Sequence, residues 1–215
     1  MKVKAHQDLL DDTKQLIVDL RINRGGSDLL YLPFLSYMFP DHVLPNEDIV
    51  LHHMTDRNFS NRMRDLEGLR ELPIVQMLIQ EMERKRNQGF VILEMDDSEL
   101  LGPPKQQLQK EIIVLIDTYC GSSGDQFALF ASQSPLTRLV GRHTRGILDY
   151  SNLAIQRFEA ASFEFWYPTS KNTRVDSGQG IDGVGVKPDI YIPWTPEHLD
   201  KDLDLEQALV LLQKT

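Results

Sequence analysis

The 215-residue chain contains one cysteine, Cys120, so no internal disulfide can staple it. Its six histidines occur without CxxC or HExxH spacing, which removes the familiar zinc sites. Positive charge is scarce: 23 Lys and Arg against 32 Asp and Glu leave a net charge of −9 and a pI near 5.1. That balance excludes nucleic acid and anionic membrane surfaces as primary ligands. Long apolar runs are missing too, and IIVLI at 112–116 falls far short of the roughly 20 residues a membrane-spanning helix needs. The opening MKVKAHQDLLDDTKQ lacks the apolar region and small-residue cleavage site of a signal peptide. The sequence leaves the compartment open.

What is present is the balance of a single globular domain, 41% hydrophobic and 26% charged. A helix around Leu9 and Leu10 leads into an apolar β-branched strand at 15–20, the glycine turn RINRGGS, and a helix through DLLYLPFLSYMF. Residues 47–54 predict a second strand, and the polar stretch 55–70 predicts a mobile segment. After Pro73, Val75, Leu78, Ile79 and Met82 recur at three- and four-residue steps, the clearest amphipathic helix. GPPK at 102–105 breaks the chain. Then 111–117 predicts a buried strand, and CGSSGDQFALFASQ a glycine turn opening a helix, the second strand–turn–helix passage. From Leu136 come strands in LTRLVG, LAIQRF and SFEFWYP, and an acidic helix from about Asp202 to Gln213 closes the chain. With no repeat and no low-complexity linker, these elements predict one α/β domain.

Ser122 sits between a buried strand and a helix N-terminus, where a serine is exposed to the helix dipole and can act as a nucleophile. The N–H of Ser123 would then point toward a developing oxyanion. The spacing Ser122-x-x-Asp125 is equally that of a capping box, in which the hydroxyl only satisfies a helix N–H. In the first turn, Gly25 and Gly26 let backbone amides approach a ligand, and a tight capped turn explains them as well.

Four blocks occur in order: LIVDLRINRGGSD, IIVLIDTYCGSSGDQFALFA, LVGRHTRG and GIDGVGVKPDIYIP. This series resembles the C-terminal-processing, or tail-specific, serine peptidase family and covers most of the chain. The resemblance implies an α/β fold of the ClpP/crotonase-like class, a superhelix of strand–strand–helix units. It implies that residues 1–215 are a single peptidase-like core, a C-terminal part of a longer protein. By the same resemblance Ser122 falls on the nucleophile, Ser123 and either Gly25 or Gly26 supply oxyanion amides, and Asp125 stands where the family usually has Glu. A peptide or protein substrate is implied, neither metal nor organic cofactor is required, and the oligomeric state stays open.

The departure is the base. In the lysine-using branch the dyad lysine falls at Ile147, which cannot take a proton, and GILDYSN resembles a branch without it. There the base can be a histidine from an N-terminal region. Within the chain the candidates are His143, in the VGRHTRG turn, and His52 or His53 on a strand. Asp149 and Tyr150 could orient a partner or bind substrate, and Asp182 could give acidic support. Cys120 is a packing residue by default and a nucleophile by exception. Two other functions keep a claim: a peptide-binding module that has lost its base, and a crotonase-like acyl-CoA enzyme using the same paired amides.

Overall fold

A computed structural model describes residues 5–39, 49–95, 110–158, 160 and 162–213. They form two compact units.

The first unit takes its described residues from 5–39, 110–148 and 181–213. It contains strands β1 (Gln15–Asp19), β4 (Glu111–Ile116), β5 (Thr137–Gly141) and β8 (Ile190–Tyr191), and helices α1 (Gln7–Asp12), α2 (Leu32–Met38), α5 (Ser123–Gln133) and α6 (Leu203–Leu212). The sheet order is β1-β4-β5-β8 and every pairing is parallel. Parallel strands are buried on both faces, which is why β4 reads as an unbroken apolar run. Ile112, Val114 and Ile116 face a cluster with Leu35, Phe127 and Ala131, while Ile113 and Leu115 face Val140 and Ala208. These five side chains, 112–116, are fully buried, each contributing about 1.5–3 kcal/mol. Because β1, β4 and β5 run the same way, the turns after Asp19, Ile116 and Gly141 emerge at one edge. That C-terminal edge is where open α/β sheets place their ligands.

The second unit, with described residues in 49–95 and 149–180, holds an antiparallel sheet. Its strands are β2 (Val50–Met54), β3 (Gly89–Ile92), β6 (Tyr150–Phe158) and β7 (Phe163–Asn172), in the order β3-β2-β7-β6. Helix α4 (Pro73–Arg84) buries Val75 and Met82, as its periodicity predicts. The polar stretch 55–70 is a correction to the sequence reading: residues Asp56–Asp65 form helix α3. The Thr55 side chain caps the Asn58 N–H, Asp56 lies in the first turn and Arg62 and Arg64 in the last, and Phe59 supplies the buried anchor. End effects and one aromatic residue fold a segment whose mean hydropathy is low. The expected break at 102–105 lies outside the described residues.

Candidate active site

Ser122 follows β4 and caps α5 with φ 57° and ψ −117°. A non-glycine residue holds such a conformation only where the surroundings impose it, and such strain concentrates at functional turns. Asp125 forms half of the capping box, accepting the Ser122 N–H at 2.8 Å. The Ser122 side chain forms the other half, facing the Asp125 N–H. Ser123 is the first residue of α5, and its N–H has no intrahelical acceptor.

The glycine turn lies directly against this serine. A Cβ on Gly25, whose φ is +106°, would stand 2.7 Å from Ser122 Cβ and 3.1 Å from its Oγ. Only glycine fits that approach. The two turns are stitched together: Gly121 N–H donates to the Asn23 carbonyl (2.9 Å), and the Ser123 hydroxyl donates to the Gly26 carbonyl (2.7 Å). The amides expected to hold an oxyanion are themselves engaged, Gly25 N–H with Asn23 Oδ1 (2.9 Å) and Gly26 N–H with Ser123 Oγ (3.1 Å). Both acceptors are side-chain oxygens, which rotate more readily than backbone.

Asp125, expected beside the substrate, is instead fully buried. Its Oδ1 accepts the Gly146 N–H (3.0 Å) and its Oδ2 the Ile147 N–H (3.0 Å), besides that of Ser122. Asp182 Oδ1 accepts the next amide, Leu148 N–H, at 2.7 Å. Three consecutive amides are thus held by two carboxylates, which fixes the loop after β5 against the Ser122 turn. The Ile147 side chain comes with that loop. A Cβ on Gly121 would lie 3.0 Å from Ile147 Cδ1 and Cγ1, so an aliphatic group occupies the flank of the turn.

Asp117 was missed by sequence reasoning. Its Oδ1 accepts the N–H groups of Ile22 (3.1 Å), Tyr119 (2.9 Å) and Cys120 (3.0 Å), tying the glycine turn to the serine turn. An aspartate ending a parallel strand beside two glycine turns was the available signal. Arg21 and Arg142 both reach buried Asp204, with Arg142 Nη2 at 2.5 Å and Arg21 Nη1 at 3.3 Å. Burial pushes the Asp204 carboxyl up, but the Arg142 hydrogen bonds and charge, with His198 and Arg21, outweigh it and hold it below the ordinary carboxylate range.

The histidine candidates are separated. His143 meets the Tyr191 ring edge-on at 6.2 Å, and among the described residues it has no hydrogen bond to Ser122. His52 belongs to the second unit, where burial, with Arg62 nearby, pushes it down to about 4 and keeps it neutral at pH 7. His53 stacks on Phe90 at 4.6 Å. Asp149, also in the second unit, is buried with its Oδ1 3.6 Å from Arg174 Nε, a structural ion pair unavailable to substrate. Tyr150 is half-exposed in β6 opposite Lys171. Burial, with Asp125 and Asp117 nearby, pushes the Cys120 thiol up to about 12, which removes it as a nucleophile. Among the described residues no group of three His, Cys, Asp or Glu side chains could hold a metal ion. No described helix is long and apolar enough to cross a membrane.

The model of peptidase family S41 matches residues 2–192. No curated protein matches the chain. Among solved structures, a putative peptidase from Parabacteroides merdae is 17% identical over 98% of this chain and 55% of its own, with a TM-score of 0.57. Mature CPAF is 21% identical, with 99% and 47% covered and a TM-score of 0.55. A putative S41 protease from Bacteroides fragilis is 15% identical, with 99% and 50% covered and a TM-score of 0.50. These likenesses show the fold, the α/β class of this peptidase family, and the chain spans about half the length of those structures.

Proposed function

Because the chain belongs to peptidase family S41 and carries a serine peptidase core, we propose that Ser122 is the nucleophile of a serine endopeptidase acting on peptides or proteins. Its Oγ attacks the peptide carbonyl carbon, its proton passes to a general base, and the carbonyl electron pair moves onto the oxygen. That oxyanion is met by Ser123 N–H and by one amide of the Gly25-Gly26 turn, which gives up its side-chain acceptor to substrate. Collapse breaks the C–N bond, the leaving amine takes the proton, and water then hydrolyses the acyl-serine. The base is a histidine outside or distant in this chain; within it, His143 is the one to test first. Asp125 positions Ser122 through the backbone, and Asp182 gives acidic support to the same loop. Metal and organic cofactors have no step in this chemistry, and the net charge of −9 argues against a nucleic-acid substrate.

One observation carries the reading: a serine held at φ 57° at the N-terminus of α5 with Gly25 pressed against it. Ser122→Ala in the full-length protein should abolish hydrolysis of a denatured protein substrate, and unchanged turnover would show the assignment to be wrong. Ile147 against Gly121 favours a second reading, a peptide-binding module of the same fold. Binding by the full-length protein with no turnover and no reaction at Ser122 would establish it.

A further inference from the structure

Beside the serine turn, the C-terminal edge of the parallel sheet carries an open groove of about 950 Å³. Four large apolar side chains line it while remaining exposed: Ile22 (72%), Tyr119 (54%), Trp194 (58%) and Leu199 (78%). Scattered exposed apolar residues need no explanation, but four around one concavity mark a contact surface. Ile22 is moreover a β-branched residue at φ 59°, a backbone state that packing alone does not reward. Its N–H and that of Tyr119 share the Asp117 carboxylate, so two walls of the groove are fixed by one buried acid.

From this geometry we infer that the groove is a substrate subsite taking a large apolar or aromatic residue of an extended polypeptide, flanked by basic rather than acidic residues. The inference rests on the peptidase reading and specifies its substrate. Reach supports it: Tyr119 and Ser122 are three positions apart, so their Cα atoms lie at most about 11 Å apart. Extended substrate at ~3.3 Å per residue spans that distance in three or four residues. Charge sets the flanks. Five aspartates line the groove against two arginines and one lysine, an excess of two acids that persists although Arg21 and Arg142 pair with Asp19, Asp202 and Asp204. A glutamate-flanked segment meets this acidic excess as repulsion, and a lysine-flanked one as attraction.

The test uses the full-length protein and two extended hexapeptides, each with a central p-benzoylphenylalanine, one flanked by lysines and the other by glutamates. After irradiation, adducts are mapped by mass spectrometry. Adducts should fall on Ile22, Tyr119, Trp194 or Leu199, half-saturating at about tenfold lower concentration for the lysine-flanked probe at low salt. Trp194→Ser should raise KM about tenfold for a lysine-flanked aromatic substrate with kcat within about threefold, a split that a general folding defect does not give. Turnover with adducts elsewhere, or equal affinity for both probes, overturns the subsite and leaves Ser122 standing. Groove adducts without turnover or reaction at Ser122 leave the groove standing and overturn the peptidase reading.

Discussion

The serine turn and the β6–β7 ribbon both show apolar residues beside polar ones, yet they are built in opposite ways. At the turn every nearby group is over-determined: Asp125 holds three amides, Asp117 holds three more, and Gly25 has no room for a methyl group. Along the ribbon Phe163, Phe165 and Trp166 lie open on the strand, and Phe158 stacks on Phe163 at 4.6 Å without joining a core. The difference shows where the chain invests its strain. A nucleophile, the role proposed for Ser122, needs a single geometry, and backbone, helix terminus and buried acids converge on this turn, whereas an exposed strand tolerates side-chain change.

Substitutions should break that comparison unevenly. Gly25→Ala introduces a Cβ 2.7 Å from Ser122 Cβ at a positive φ, and a displacement of about 1 Å at a reacting group costs roughly 100-fold. Peptide hydrolysis by this variant should fall by at least that factor while the far-ultraviolet circular dichroism is kept. Asp125→Ala leaves three backbone N–H groups facing an apolar side chain. The expected loss is about 3–5 kcal/mol in urea unfolding, with hydrogen exchange at Gly146 and Ile147 accelerated first.

His52 sharpens the contrast through pH. Its folded-state pKa is pushed down to about 4 while the unfolded chain keeps the ordinary value near 6.5. Between these values the unfolded state binds more protons, so stability present above pH 6.5 is lost as pH falls toward 4. The shift is worth about 3 kcal/mol as an order of magnitude. His52→Gln should flatten the stability profile in that window, as read by denaturant titrations at pH 7, 5.5 and 4. The smallest effect belongs to the ribbon: Phe165→Ser should change unfolding free energy by less than about 0.5 kcal/mol, and a loss comparable to that of Asp125→Ala would erase the distinction.

Much of this was legible in the sequence, for identifiable reasons. The buried run of β4 and the three- and four-residue steps of α4 are periodic signals that packing repays directly. The Ser122 turn was legible because a strand, small residues and a helix start follow one another within a few positions. Asp117 and Asn23 were not, because each acts on a segment about a hundred residues away that only the β1–β4 pairing brings alongside. Helix α3 escaped because its apolar face is short, Phe59 and Met63 in an otherwise polar segment, and its caps and charges add to its stability. The capping-box spacing foreshadowed the bond from the Ser122 N–H to Asp125, but not those from Gly146 and Ile147, since spacing cannot say which further amides a buried carboxylate accepts.

The proposed role of Ser122 as nucleophile is tested most directly by fluorophosphonate labelling of the full-length protein followed by intact-mass and peptide mapping. One adduct is expected, on Ser122, lost in Ser122→Ala. An adduct on another serine, or none although the peptide-binding groove is occupied and the protein folded, would contradict it.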